Sequence, residues 1–212
     1  MPAARHIVTA ALAAALLVTP ASAYGKSSPK KGKKAPTATI ALGDKRTPRA
    51  KASKVAASQE CANANLMPTA DNLDLIRAAV LCLHNQIRAS KGLPALKDNA
   101  KLRAAAAGHS ADMVGEGYFD HTDPDGDTFV DRILGAKYAK QTDGWTLGEN
   151  LAWGTGDLST PAGVMNAWMN SAGHKANILK RGYKEIGVGI KLGVPSDEGV
   201  GATITADFGT KF

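Results

Sequence analysis

Imidazole and carboxylate groups at His109, His121, Glu149 and His174 are the side chains of this sequence best suited to chemistry. Gathered on loops of a rigid scaffold, such groups have three uses: binding a divalent metal, general acid-base transfer, or fixing a polar ligand through hydrogen bonds. Their spacing leaves all three open. The residues lie too far apart for an H-E-x-x-H metal pattern, and no G-x-S-x-G nucleophile motif occurs. Glu149 stands between Gly148 and Asn150, which reads as a carboxylate on a turn. His174 follows Gly173 in the same manner, so the stretch from Trp145 to Asn177 reads as the floor of a pocket.

Three functional readings follow. In a binding module, His121, Glu149, His174, His109 and Asn150 line a cavity that takes a small molecule, a lipid or a cell-wall component. In a metal-assisted hydrolase, His121 and His174 ligate a divalent ion such as zinc and Glu149 acts as base on its water. Glu149 cannot be both third ligand and free base, so that site needs a further ligand such as His109 or Asp207. In a structural protein the same histidines are hydrogen-bonded core residues.

The elements that must position these groups read from periodicity. Leu73, Ile76, Val80, Leu83 and Ile87 recur at helical spacing, with Asp71 or Asn72 as cap and Gly92 as terminator. After an extended Leu93-Pro94-Ala95-Leu96, Asp98 caps a second helix with Leu102, Ala106, His109 and Met113 on its buried stripe and Gly115 and Gly117 at its end. A short helix spans Phe129 to Leu134. The alternating Asp123, Asp125 and Asp127 read as turn aspartates, because a calcium loop requires glycine where Thr128 stands. Ser159-Thr160-Pro161 opens a further helix, with Val164 and Trp168 on its inner face, that delivers His174 at its C-terminal end. Ile186 to Leu192 and Val200 to Phe208 alternate as an antiparallel pair of strands. Helices first and strands last indicate an α+β architecture.

Before this folded part lie two segments of different composition. Residues 1–23 carry Arg5 and His6, an apolar run from Ile7 to Val18 and an Ala21-Ser22-Ala23 close, the pattern of a secretory signal peptide cut after Ala23. The run is too short to span a bilayer, so no transmembrane anchor is expected in the mature form. Residues 24–58 hold ten Lys or Arg against Asp44 and read as a basic disordered linker. The net charge of +7 arises there, since residues 59–212 carry fifteen bases against eighteen acids. A basic segment on an exported chain suits an anionic cell surface, or serves only as a soluble spacer, and nucleic acid is not an expected partner. The oxidising destination also makes Cys61 and Cys82 an expected disulfide, closing a loop worth about 3 kcal/mol.

The ordered set His84-Asn85-x-x-Arg88, His109-Ser110-x-x-Met113, Phe119-x-His121, Gly148-Glu149-Asn150, Trp168-Met169-Asn170-Ser171-x-Gly173-His174-x-x-Asn177-Ile178-Leu179, Gly187-Val188-Gly189 and Asp207-Phe208-Gly209 resembles the secreted bacterial branch of the CAP superfamily, the SCP/PR-1-like domains. The match runs in order over residues 73–212. The resemblance implies a three-layer α-β-α sandwich with an antiparallel sheet, a cavity between layers, and binding in preference to turnover. Many eukaryotic members carry a tetrad of two histidines and two glutamates. By motif, His121 takes the place of the first histidine and Glu149 that of the first glutamate. Ser171 stands where the second glutamate is expected and Ala202 about where the second histidine is, while His174 belongs to the bacterial S-x-G-H pattern.

Overall fold

The computed structural model describes residues 60–196 and 199–212. The signal peptide and linker expected at 1–23 and 24–58 lie outside the described residues. Five α-helices and four strands follow in the order α1 (Leu73–Ser90), β1 (Lys97–Asp98), α2 (Ala100–Glu116), α3 (Phe129–Gly135), β2 (Trp145–Thr155), α4 (Pro161–Asn170), α5 (Ala172–Leu179), β3 (Glu185–Leu192) and β4 (Gly201–Lys211). A single 3-10 turn, Gly156–Ser159, joins β2 to α4.

The strands form one sheet in the order β1-β3-β4-β2. The pairs β3/β4 and β4/β2 are antiparallel, and only the two-residue β1 runs parallel to β3. Because side chains alternate across a sheet, β3 and β4 split their residues between two helical layers. Ile186, Val188, Ile204 and Phe208 pack with Ile76 and Val80 of α1, Trp168 of α4 and Ile178 of α5. On the opposite face Leu102 of α2 and Ile133 of α3 enclose a second core with Tyr138 and Leu147. The described residues therefore form the α-β-α sandwich implied by the motif set.

Close approach of α2 to the sheet depends on two glycines. A Cβ on Gly187 would collide with the backbone of Leu102 and Arg103, and one on Gly189 with that of Ala106 and Ala107. Their missing side chains let the helix lie directly on β3. In the other layer, the buried stripe of α1 runs from Ile76 and Val80 into His84 and Arg88, all four at 0% exposure. Arg88 donates to the carbonyls of Pro94, Ile178, Lys180 and Tyr183 at 2.8–3.3 Å. One guanidinium thereby ties α1, the extended 93–96 segment and the α5–β3 connection together.

Boundaries differ from the sequence reading in three places. Asn99, not Asp98, caps α2 by accepting from the amides of Lys101 and Leu102, since Asp98 is drawn into β1 and pairs with Arg103. The helix opened by Thr160 ends at Asn170, and an extended Ser171 starts a separate α5 that carries His174 in its first turn. Val200 lies outside β4, whose two faces are both buried. Cys61 and Cys82 are bonded, with Cα atoms 5.7 Å apart, and fasten the segment before α1 to that helix.

Candidate functional site

Glu149 lies in the interior of β2, not on a turn. Its neighbours explain why a Gly-Glu-Asn triplet is extended here. The place of a Cβ on Gly148 is filled by the Tyr183 hydroxyl and the Asn177 side chain, so glycine is needed for packing and not for a turn. On the adjacent position, Asn150 Nδ2 donates to the His174 carbonyl at 3.1 Å, and its Oδ1 accepts from Asn177 Nδ2 at 2.9 Å. Asn150 thus braces α5 against the sheet.

From β2 the Glu149 side chain projects toward α2 and α3, where it is 1% exposed and surrounded by partners. His121 Nδ1 donates to its Oε1 at 2.7 Å. Arg132 Nη2, from α3, donates to Oε2 at 3.1 Å and to the His121 carbonyl at 2.8 Å. His109 Nε2, from the buried stripe of α2, lies 4.0 Å from Oε2. Directly across the ladder stands Asp207 of β4, fully buried, with Oδ1 unpartnered among the described residues. One carboxylate therefore organises two histidines, an arginine and a second carboxyl group.

The electrostatics of the cluster are set by these contacts. The hydrogen bond to Glu149, and then the charge of that carboxylate, raise the His121 pKa above the ordinary imidazole value against the opposing effect of partial burial. His109 is lowered, chiefly by desolvation, and its Nε2–H is taken by the Asp120 carbonyl at 2.9 Å. Asp207 is raised well above the usual carboxyl value, first by burial and then by the charge of Glu149. With Nδ1 engaged, His121 keeps its Nε2 edge toward solvent, its side chain being 51% exposed.

His174 does not join this cluster. Its ring packs 6.5 Å from that of Trp168 and lines an open groove of about 240 Å³ with Phe119, Trp153, Trp168 and Ser171. Burial and the charge of His121 lower its pKa. Apart from this imidazole and Ser171 the groove is lined by apolar side chains, and Phe119 and Trp153 are each 44% exposed beside it.

The donor set does not suit a divalent metal. Both Glu149 oxygens are occupied, by His121 and Arg132, and a guanidinium stands where a second cation would have to sit. The nitrogens of His109 face the Asp120 carbonyl and the Tyr118 hydroxyl. Among the described residues no group of three or more His, Cys, Asp or Glu side chains is arranged to hold a metal ion.

Sequence reasoning missed Arg132, which reads as an ordinary surface position on a short helix; its signal is only its nearness to His121 in the chain. Trp168 and Asn177 turn out to act on the sheet edge. The outward carbonyls of β2 at Leu147, Glu149 and Leu151 accept from Tyr183 Oη, Asn177 Nδ2 and Trp168 Nε1 at 2.8, 3.0 and 2.8 Å.

The comparisons with known proteins agree with this architecture. The chain is 34% identical over 159 residues to the uncharacterized protein YkwD of Bacillus subtilis, a match spanning 72% of this chain and 58% of that protein. It is 34% identical over 111 residues to the uncharacterized membrane protein YlbC of the same organism, covering 52% of this chain and 30% of YlbC. Among solved structures, an extracellular protein containing an SCP domain from Bacillus anthracis aligns with a TM-score of 0.52 at 30% identity, over 66% of this chain and 43% of that one. An outer surface protein of Borrelia burgdorferi shares the fold, with a TM-score of 0.53 at 21% identity over 69% of this chain and 97% of its own. This chain thus spans little more than half of YkwD and less than a third of YlbC. With the model of the cysteine-rich secretory protein family matching residues 81–201, the α-β-α sandwich and its motif residues place the chain in the CAP family.

Proposed function

We propose that the chain is an exported CAP module that binds a small molecule, lipid or cell-envelope component at the surface formed by His121 and the His174 groove. The carrying observation is the 2.7 Å bond from His121 Nδ1 to the buried Glu149. It fixes the imidazole and leaves the second nitrogen facing solvent, beside a groove with two half-exposed aromatic rings. A pre-oriented polar group next to an apolar concavity is what ligand recognition requires. The signal peptide at 1–23 delivers the chain outside the cell, and the basic residues 24–58 hold it near an anionic surface. Among the described residues no helix is long and apolar enough to cross a membrane.

The metal-assisted hydrolase draws less support, because Arg132 occupies the carboxylate that would have to serve the metal or its water. The two readings are separated by experiment on the full chain. Trp153 and Trp168 line the groove, so a ligand entering it changes intrinsic fluorescence. Titration with fatty acids and with soluble cell-wall fragments is expected to give a saturable change that His121→Ala and His174→Ala weaken at nearly constant melting temperature. Loss of stability without altered binding would return these histidines to a structural role, and stoichiometric zinc lost in the double variant would restore the hydrolase.

A further inference from the structure

The folded part of the chain has more acids than bases, yet its cations are not evenly spread. β1, β3 and β4 end together: Lys97 pairs with Glu185, and Glu185 with Gly209, two residues before Lys211. Around this end of the sheet are two grooves. The first, of about 500 Å³, is lined by Lys97, Arg181, Lys184 and Lys211. The second, of about 650 Å³, is lined by Lys101, Lys137, Lys140 and the same Lys211. Seven of the fifteen bases of residues 59–212 therefore line two concavities joined at one lysine.

Two acids stand among these seven bases, which leaves the surface with a net positive charge. Glu185 and Asp143 are the acids in the two linings. Against the effect of burial, hydrogen bonds from Tyr138 and Asn99 and then the charges of Lys211 and Lys97 hold Glu185 below the usual carboxyl value, so it offsets part of the charge of the first groove, and Asp143 accepts from the Lys140 amide. Among the described residues none of the seven cations has a carboxylate within salt-bridge distance. Lys211 Nζ instead lies over the Tyr138 ring at 4.5 Å, an arrangement that holds the ammonium in place without cancelling its charge. Thr210, 7% exposed, lines the first groove, and its Oγ1 has no hydrogen-bond partner among the described residues.

We infer that this end of the sheet is a docking surface for a linear polymer carrying phosphate groups, laid through both grooves across Lys211. Gathered like charges repel, and an anionic chain relieves that repulsion. A single small anion cannot reach both grooves at once. Concave walls suit a strand better than a flat bilayer. The aromatic rings in the linings, Tyr138 and Tyr183, are each 2% exposed and offer no platform for stacking nucleobases. This surface does not include His121, Glu149 or His174.

The test uses the full chain and long-chain inorganic polyphosphate as probe, with affinity measured against salt concentration. The double variant Lys140→Glu, Lys184→Glu is expected to bind about tenfold more weakly and with a shallower salt dependence, because fewer counterions are released. The double variant Lys175→Glu, Lys191→Glu has the same net charge but touches neither groove, and is expected to stay within about twofold of wild type. Equal weakening by both variants would overturn the inference, since it would place binding in net charge or in residues 24–58. Phe212, exposed beside Lys211, makes phosphatidylglycerol vesicles a necessary arm. Loss of vesicle binding in the first variant with polyphosphate binding unchanged would overturn the inference in favour of a membrane. A wild-type preference for single-stranded DNA over polyphosphate at equal phosphate concentration would overturn it as well.

Discussion

Glu149 and Asp207 stand directly opposite each other on the antiparallel strands β2 and β4, and the two residues are 4% and 1% exposed. Two carboxyl groups held this way cannot both ionise cheaply, and Arg132 is hydrogen-bonded to Glu149. Burial and the neighbouring Glu149 therefore favour the protonated form of Asp207. The folded state then binds a proton at Asp207 that the unfolded chain releases above the ordinary carboxyl range, so this pair lowers stability as pH rises toward the elevated folded pKa. Asp207→Asn mimics the protonated acid. It is expected to raise the melting temperature relative to wild type at pH 7, with the gain vanishing near pH 4, as thermal unfolding across pH will read.

The same carboxylate sets the behaviour of His121. Replacing Glu149 by Gln keeps a hydrogen-bond acceptor but removes the charge, so the His121 pKa, raised in wild type, should fall to the ordinary imidazole value or below it. Nuclear magnetic resonance of the imidazole protons measures this directly. An unchanged His121 titration would show that Glu149 does not control it.

His84 gives a pH dependence of the opposite sign. It lies fully buried between Trp168 and Phe208, donates from Nδ1 to the Val80 carbonyl at 2.8 Å, and desolvation lowers its pKa to about 4. A histidine depressed in the folded state contributes stability that is complete above the unfolded value and is lost as pH falls from there through the folded pKa. The loss is on the order of 3 kcal/mol. His84→Phe should flatten the decline of the melting temperature between pH 6.5 and 4.

Arg88 is expected to be among the most sensitive positions of the fold. Truncation to Ala leaves the carbonyls of Pro94, Ile178, Lys180 and Tyr183 without their donor and opens a cavity at a fully buried site. A loss of about 3–5 kcal/mol is expected in chemical denaturation. Arg88→Lys should recover only part of it, because one ammonium cannot serve four separated acceptors with the geometry of the planar fork.

Much of this fold could be read from the chain because its signals are local. The period of α1, the αL glycine that ends α2 at Gly117, and the alternation of β3 report directly on backbone conformation. β2 was hidden for a physical reason. Gly148, Glu149 and Asn150 all disfavour a strand by intrinsic preference, and what makes them extended is tertiary: Tyr183, Arg132 and Asn177 fill or bind the positions those residues leave. The site divides in the same way. His121 and Glu149 could be singled out by type and by motif, and the structure brings them into contact. Asp207 was named only as an alternative ligand, and its place opposite Glu149 comes from register, while Arg132 enters through packing alone, which no spacing in the sequence encodes. His174 was named with them, but the break at Ser171 turns its helix and sets its ring in the neighbouring groove.

β2 is the outermost strand of the sheet, eleven residues long, and a bare edge of that length is a template onto which another chain can add. Here three side chains stand in for a fifth strand. The phenol of Tyr183, the amide of Asn177 and the indole of Trp168 occupy successive outward carbonyls, and all three come from the chain between β2 and β3 or from its helices. Three acceptors in the middle of that edge are thus already satisfied within the molecule, which leaves a strand of a second molecule fewer groups on which to pair.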